Sequence, residues 1–349
     1  MSDRCFTVFL THTSRSWEWE KCRREYLRDR YARPGRLDGL PPFESLPPNR
    51  SHTLYSGGLS VLQLTLNSNE AKLSAYRCLD SRFKIQHACV AGGRLVLCFE
   101  DFLFVLPDLS SPVESVRLHR GAAGRIDDPW FGGLHTVFPV DSRTVVASAA
   151  GSDAVLWVDL VSRRVTRRWR LPGEIYGVNY ELTAGMSVQD HYIHNDIQLG
   201  HLNCAYPFAD GGCLISTLAQ GDIGRIRRDG GYEILTRGFI GCHGVRLAAD
   251  GKTIYFADSC EGRLMTVTSS SEVTELVRLD SRWLHDSAQL EDDIYLLSLG
   301  DRNELSVIDV GRGAELGRFS FKSRGVNVQF VSVVSTADAM AQHGAALGA

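Results

Sequence analysis

Histidines recur along this chain at a fixed interval. His201 and His243 are 42 residues apart, and His243 and His285 are again 42 apart. One more step of 42 falls on Asn327, inside the stretch RGVNVQFVSVV at 324–334. Upstream, His135 precedes His201 by 66 residues, which is one interval plus an insertion over about 174–197, and His87 precedes His135 by 48. The sequence between these landmarks repeats as well. CHGVRLAADGKTIYFADSCEGRLMTV from Cys242, LHDSAQLEDDIYLLSLGDRNELSVIDV from Leu284 and LHTVFPVDSRTVVASAAGSDAVLWVDL from Leu134 share one phrase. A His is followed by an apolar strand, a turn, a second strand, another turn and a third strand. A fourth short run follows, as in VTRRWRL (165–171) and ELGRFSF (315–321). A period of about 40 residues holding four strands is the signature of a propeller blade.

The spacing predicts an all-β, six-bladed β-propeller in which blades begin near 87, 135, 201, 243 and 285. The sixth is completed by a C-terminal strand at 325–334 and by N-terminal strands near 52–58, 59–66 and 72–79. Building one blade from both ends of the chain closes the ring and removes the open edge that a flat sheet must protect. The expected boundaries are an N-terminal extension and linker at 1–50, the propeller at 51–335 and a tail at 336–349. Within the extension, 15–31 carries charges with aromatic residues at 17, 19 and 26 and reads as a short helix. The proline-rich stretch 34–49 reads as an extended linker. The alternatives are five or seven blades.

A formal net charge of −3 and the lack of a polybasic run give no footprint for nucleic acid. No apolar run is long enough for a transmembrane helix. The short apolar stretch Phe6–Leu10 lacks the flanks of a secretory signal, so a cytoplasmic protein is expected. The nine cysteines are odd in number and scattered, with no CxxC pair, and are read as reduced and mostly buried. There is no P-loop and no GxSxG.

The first strand of each propeller blade lines the central channel, so repeat-equivalent positions converge on the axis. His87, His135, His201, His243 and His285 take one such position in five blades, and Asn327 takes it in the sixth. Only 11 of 349 residues are His, so five matches in six slots point to function. Neutral imidazoles are common ligands of Zn, Cu and Fe, and a ring of them cannot all be protonated at once. A divalent transition metal on the axis, Fe(II) first and Cu or Zn next, is therefore the leading expectation, with His87 the weakest ligand. The alternative is a polar channel without metal. The insertion EIYGVNYELTAGMSVQDHYIHNDIQLGHLN supplies His194 and Asp196 as candidates for proton transfer. Trp130, Tyr176, Asn203 and Asn327 are candidate walls of a pocket for a small-molecule substrate.

The phrase HLNCAYPFADGGCLISTLAQGDIGRI (201–226) resembles the blade signature of arylsulfate sulfotransferase-like proteins, in which a His opens a strand and a D-G-x-x-L-x-S turn follows. The same shape occurs in NHL-type and virginiamycin-B-lyase-like propellers. This resemblance implies the six-bladed fold over about four-fifths of the chain. From the sulfotransferase family it implies a channel His, here His201 or His243, that accepts a sulfuryl group, although no matching Arg pair accompanies it. The His ring is similar to the axial iron site of carotenoid-cleaving oxygenases, which have seven blades. Three functions follow as expectations: a His-ligated metalloenzyme with oxidative or lyase chemistry, a metal-free transferase or lyase using one channel His, and a propeller scaffold that binds protein partners.

Overall fold

The computed structural model describes residues 3–14, 57–81, 84–107, 122–173, 187–188, 200–268, 271–321 and 326–335. Nearly all of them lie in short strands or the turns between strands. The chain begins with β1 (Arg4–Ser14), β2 (Gly57–Leu66) and β3 (Ala71–Ser81). Next come β4 (Ile85–Ala91), β5 (Arg94–Phe99), β6 (Leu103–Leu106) and β7 (Arg125–Ile126), then β8 (Leu134–Pro139), β9 (Thr144–Ala149), β10 (Ala154–Asp159) and β11 (Arg164–Arg170). The following four are β12 (Leu202–Pro207), β13 (Cys213–Thr217), β14 (Ile223–Ile226) and β15 (Tyr232–Thr236). The last nine are β16 (Cys242–Leu247), β17 (Ile254–Asp258), β18 (Arg263–Val267), β19 (Val273–Arg278), β20 (Leu284–Glu291), β21 (Ile294–Leu299), β22 (Glu304–Asp309), β23 (Ala314–Ser320) and β24 (Val326–Ser335).

These strands form six antiparallel four-stranded sheets. Five are consecutive meanders, and the sixth has the order β24-β1-β2-β3. The innermost strands touch in a closed circuit: β4 meets β8, β8 meets β12, and so on through β16, β20 and β24 back to β4. This is a six-bladed β-propeller closed by both ends of the chain.

The closing blade differs from the sequence expectation in one respect. Its second strand is β1, which lies in the stretch read as an extension, and 59–66 belongs to a single strand starting at Gly57. The run CFTVFL that resembled a mature N-terminus is a buried strand whose Val8 pairs with Val333 on one side and Leu62 on the other. An aliphatic and aromatic run that can be buried on both faces favours the middle of a sheet. The helix expected at 15–31, the linker at 34–49 and the tail at 336–349 lie outside the described residues.

Burial falls from the axis outward, and the sequence follows it. The strands β10 (AVLWVD) and β21 (IYLLSL) are buried throughout, whereas the outermost β11 (RVTRRWR) alternates and β19 (VTELVR) is largely exposed. Apolar faces of neighbouring blades press together, as Ile215 and Ile226 do with Val245 and Phe256. The β4–β5 hairpin turns through Gly92 and Gly93 at φ +55° and +75°, the doubly left-handed turn that glycine tolerates without strain.

Five innermost strands carry a β-bulge at or just after their first paired residue: Ile85/His87, Leu134/Val137, Leu202/Cys204, His243/Arg246 and Leu284/Asp286. Bulges re-aim side chains and are frequent next to functional sites. Here they decide which residues face the axis.

Candidate functional site

The first residue of each inner strand that pairs with the second strand fixes a common register. These residues are Ile85, Leu134, Leu202, Cys242, Leu284 and Val326. The next position is the ring slot, and it holds Gln86, His135, Asn203, His243, His285 and Asn327. Three of the five expected histidines occupy it. His87 lies one residue further along β4. His201 lies two residues before its slot, in the lead-in to β12, with a left-handed φ of +50°. Asn203, expected as a pocket wall, is the true counterpart of the histidines. It is fully buried, and its Nδ2 donates to the Cys242 carbonyl at 2.9 Å.

His201 nonetheless reaches the ring. Its Nε2 is 3.1 Å from Nε2 of His135, with ring centroids 4.8 Å apart. His243 and His285 form a second edge-to-face pair at 4.9 Å. Between them sits Phe330 of β24, 1% exposed, with its centroid 6.4 Å from His135, 6.3 Å from His243 and 4.6 Å from His285. The imidazoles thus gather at one mouth of the axis around an apolar plug. His87 is on the other side of that plug. Its Nε2 meets Ser332 Oγ at 3.1 Å, its ring packs on Phe138 at 4.8 Å and on Phe330 at 5.8 Å, and it is not a member of the mouth.

The hydrogen bonds fix the tautomers. A carbonyl oxygen only accepts, so Nδ1 of His135 donates to Gly133 O at 2.7 Å and Nδ1 of His243 donates to Gly241 O at 2.8 Å. Ser259 Oγ also lies 2.8 Å from Nδ1 of His243. Both residues therefore carry the lone pair on Nε2. Because His135 Nε2 is an acceptor, His201 Nε2 is the donor of the bond between them. His243 Nε2 is left as a basic nitrogen not used in this pair.

All four imidazoles are held neutral. Burial is the main cause, and it pushes His201 down to about 3 and His243 down to about 4. His135 and His285 are also pushed well below the ordinary value, first by burial and then by neighbouring imidazoles. The Lys84 ammonium, just ahead of β4, presses on each of the four in the same direction. Lys84 and Phe330 were missed from sequence, since neither lies in the ring slot. His135 is partly exposed, while His201, His243 and His285 are buried.

The other candidates distribute differently. Trp130 packs against the core between blades and carries the Arg168 guanidinium of outer strand β11 at 5.7 Å. Its neighbour Phe131 is fully buried and serves packing. Asn327 holds the ring slot of β24 by register, opposite Thr13. Tyr176, His194 and Asp196 lie outside the described residues. Among the described residues, no three His, Cys, Asp or Glu side chains converge as a ligand set for a metal, and no helix is long and apolar enough to cross a membrane. The described cysteines are free, and Cys89, Cys98, Cys204, Cys213 and Cys242 are buried.

At the opposite ends of the inner strands is a cavity of about 340 Å³ lined by Phe138, Tyr206, Arg246, Tyr255, Gln289 and Ser332, among others. Arg246 is buried there. Its Nη2 donates to Asp286 Oδ2 at 2.8 Å and to the Val331 carbonyl at 2.7 Å. Asp286 is wholly buried, and Val331 N also donates to its Oδ2 at 2.9 Å. The pair rests on Gly244, whose φ is +58° and whose missing Cβ would come within 2.2 Å of Asp286 Oδ1. Removing one partner of a buried pair strands a charge, while replacing both by apolar groups does not. Arg246→Met is therefore expected to cost about 3–5 kcal/mol, and Arg246→Met/Asp286→Leu to recover most of that loss. Urea denaturation measures both. A double variant as unstable as the single would refute the ion pair.

No protein-family model matches this chain, and no curated protein matches it in sequence. Solved structures do match in fold. A chain of a nidogen/laminin complex superposes with a TM-score of 0.58 at 10% identity, over 94% of this chain and 98% of that one. Virginiamycin B lyase from Staphylococcus aureus superposes with a TM-score of 0.51 at 10% identity, over 81% of this chain and 89% of that one. A catalytically inactive form of that lyase with quinupristin gives 0.51 at 9% identity, over 84% and 96%. At these identities the likeness establishes the six-bladed propeller fold that this chain shares with them.

Proposed function

We propose that the histidine mouth is the reacting centre of an enzyme that acts on a small molecule by proton abstraction and elimination, a lyase reaction. The observation that carries this reading is the fixed tautomer of His243. Its Nδ1–H is held by Gly241 O, so its Nε2 keeps the lone pair beside three other neutral imidazoles. That lone pair is free at pH 7, and an anionic group of a bound substrate beside it would raise its proton affinity from the low value that burial imposes. As His243 takes a proton from a carbon acid, the C–H pair becomes the new π bond and the bond to the leaving group breaks. The leaving group departs with its electron pair and takes a proton from the imidazolium or from water. Lys84, which already presses on all four imidazoles, supplies positive charge toward the carbanionic transition state. A lyase has this same six-bladed scaffold, and this supports the reading at the level of fold.

A panel of carbon acids with β-leaving groups, with quinupristin included as a probe, tests it. His243→Asn is expected to lower kcat by about 10²–10⁴-fold while circular dichroism shows the fold retained, and a chelator is expected to leave the wild-type rate unchanged. Turnover that survives His243→Asn would sink the assignment.

A second reading, a divalent metal such as Fe(II), Cu or Zn at this mouth, is favoured by Asn203. Its Oδ1 has no hydrogen-bond partner and lies beside His201. If His201 shifted its proton to Nδ1, facing that oxygen, its Nε2 lone pair would join that of His135, and second-sphere acceptors of this kind are what orient ligating imidazoles. Stoichiometric metal in protein purified without chelators, lost in His135→Ala and His201→Ala, supports this reading. Metal-free protein that binds none of the three ions tightly excludes it.

A further inference from the structure

Two residues before the ring slot, each blade has a rim position from which the chain enters the innermost strand. In blade order these positions hold Lys84, Gly133, His201, Gly241, Trp283 and Gly325. Large side chains and glycines thus alternate around the axis, with a side chain on every second blade. Gly133 and Gly241 are left-handed, at φ +59° and +75°, and their carbonyls hold Nδ1 of His135 and His243. His201 adopts the same conformation at φ +50°, where glycine is the residue without strain. A strained side chain kept where two equivalent positions have glycine points to function rather than packing. The other two side chains, Lys84 and Trp283, are partly exposed. The Trp283 ring stands 5.2 Å from that of His243 and 6.0 Å from that of His285.

We propose, resting on the elimination assigned to this mouth, that its substrate is a planar monocarboxylate recognised by the rim, with the carboxylate at Lys84 and the conjugated or aromatic face on Trp283. Charge selects the first feature. Whatever else Lys84 contacts, its ammonium presses on all four imidazoles of the mouth. Among the described residues, the groups that act most on these rings include no carboxylate. A cation is disfavoured there, and an anion favours the imidazolium that the reaction forms. A single ammonium suits one negative charge. Shape selects the second feature, because an indole beside the base offers a flat apolar face for offset stacking. His201 closes the third corner of the rim, tied to His135 through Nε2.

Calorimetric titration of the full chain with cinnamate tests the proposal, with cinnamamide lacking the charge and hexanoate lacking the planar face. Saturable binding of cinnamate is expected, with both comparisons weaker by at least about tenfold. Lys84→Met removes the charge at a partly exposed position and is expected to weaken cinnamate by at least about tenfold while leaving cinnamamide unchanged. Trp283→Leu is expected to weaken both. No saturable binding of cinnamate, cinnamamide bound as tightly, or cinnamate affinity unchanged in Lys84→Met or in Trp283→Leu would each overturn the proposal. These readouts are equilibria, so they separate the rim from the reaction. Turnover of neutral carbon acids without cinnamate binding removes the rim and leaves the lyase. Cinnamate binding that needs Lys84 and Trp283, in a chain that turns over no carbon acid, supports the rim's selectivity and removes the lyase.

Discussion

Phe330→Ala is expected to lower the stability of the propeller by about 3–5 kcal/mol. The aromatic ring is 1% exposed and fills the point where the innermost strands approach one another. Four of the five repeat-marking histidines, His87, His135, His243 and His285, have ring centroids within 6.4 Å of it. Three of these neighbours cannot collapse far, because each is tied elsewhere: His135 to Gly133, His243 to Gly241 and His87 to Ser332. The Phe330 backbone is held too, since its N–H donates to Thr11 Oγ1, which in turn donates to the Gln86 carbonyl of the next blade. A site that cannot relax keeps most of its cavity, which places the cost at the upper end of large-to-small substitutions. The void would also adjoin four polar rings and so admit water. Less burial means a weaker downward push on the imidazoles, so their titration is expected to move up toward the ordinary value. Phe330→Leu keeps most of the volume and should retain more than half of the lost stability. Urea midpoints and the pH dependence of imidazole resonances check both effects. A Phe330→Ala variant within about 1 kcal/mol of wild type would mean that the axis is not packed around this ring.

The periodicity of 42 residues made the propeller legible before any coordinates, because each blade must repeat its strands and turns. It also located the mouth of the axis. It named four of the six ring-slot residues, His135, His243, His285 and Asn327, but placed His87 and His201 where Gln86 and Asn203 stand, and the reason is local. Which residue faces the axis depends on the first ladder pair of each inner strand and on the bulge beside it. A shift of one residue, as at His87, turns the side chain to another environment. The interval from His201 to His243 matches a repeat, yet the strand register puts Asn203 opposite His243. His201 reaches its neighbour only through a left-handed lead-in residue. Arg246 was visible in principle, as a charge at a slot where the other blades hold uncharged residues. The strand at Arg4–Ser14 was hidden by its distance from its partners, since β2 begins at Gly57 and β24 at Val326.

Acidification is expected to unfold this protein well above the pH at which carboxylates titrate. Five imidazoles, those of His87, His135, His201, His243 and His285, are pushed below the ordinary value of 6.5, each chiefly by burial. Above 6.5 they are neutral in the folded and unfolded states alike and contribute no pH dependence. Below it the unfolded chain takes up protons that the folded chain refuses, so stability falls with pH until the folded groups themselves protonate, at about 4 for His243 and about 3 for His201. Each refused proton tilts the balance by about 1.4 kcal/mol per pH unit. Five together approach about 7 kcal/mol per pH unit, against a total stability of about 5–15 kcal/mol for a domain. Loss of the fold is therefore expected between about pH 6 and pH 4.5. Carboxylates such as Asp210, Asp229 and Asp250, whose folded values are lowered by hydrogen bonds, act in the same direction but only below about pH 4, too late to cause this transition. Circular dichroism against pH would record it. His87→Asn, which keeps a polar group opposite Ser332 without the ionisable ring, should move the midpoint to lower pH and flatten the slope. Stability unchanged from pH 7 to pH 5 would show that water already reaches these rings, and the case for neutral imidazoles as bases poised at the axis would go with it.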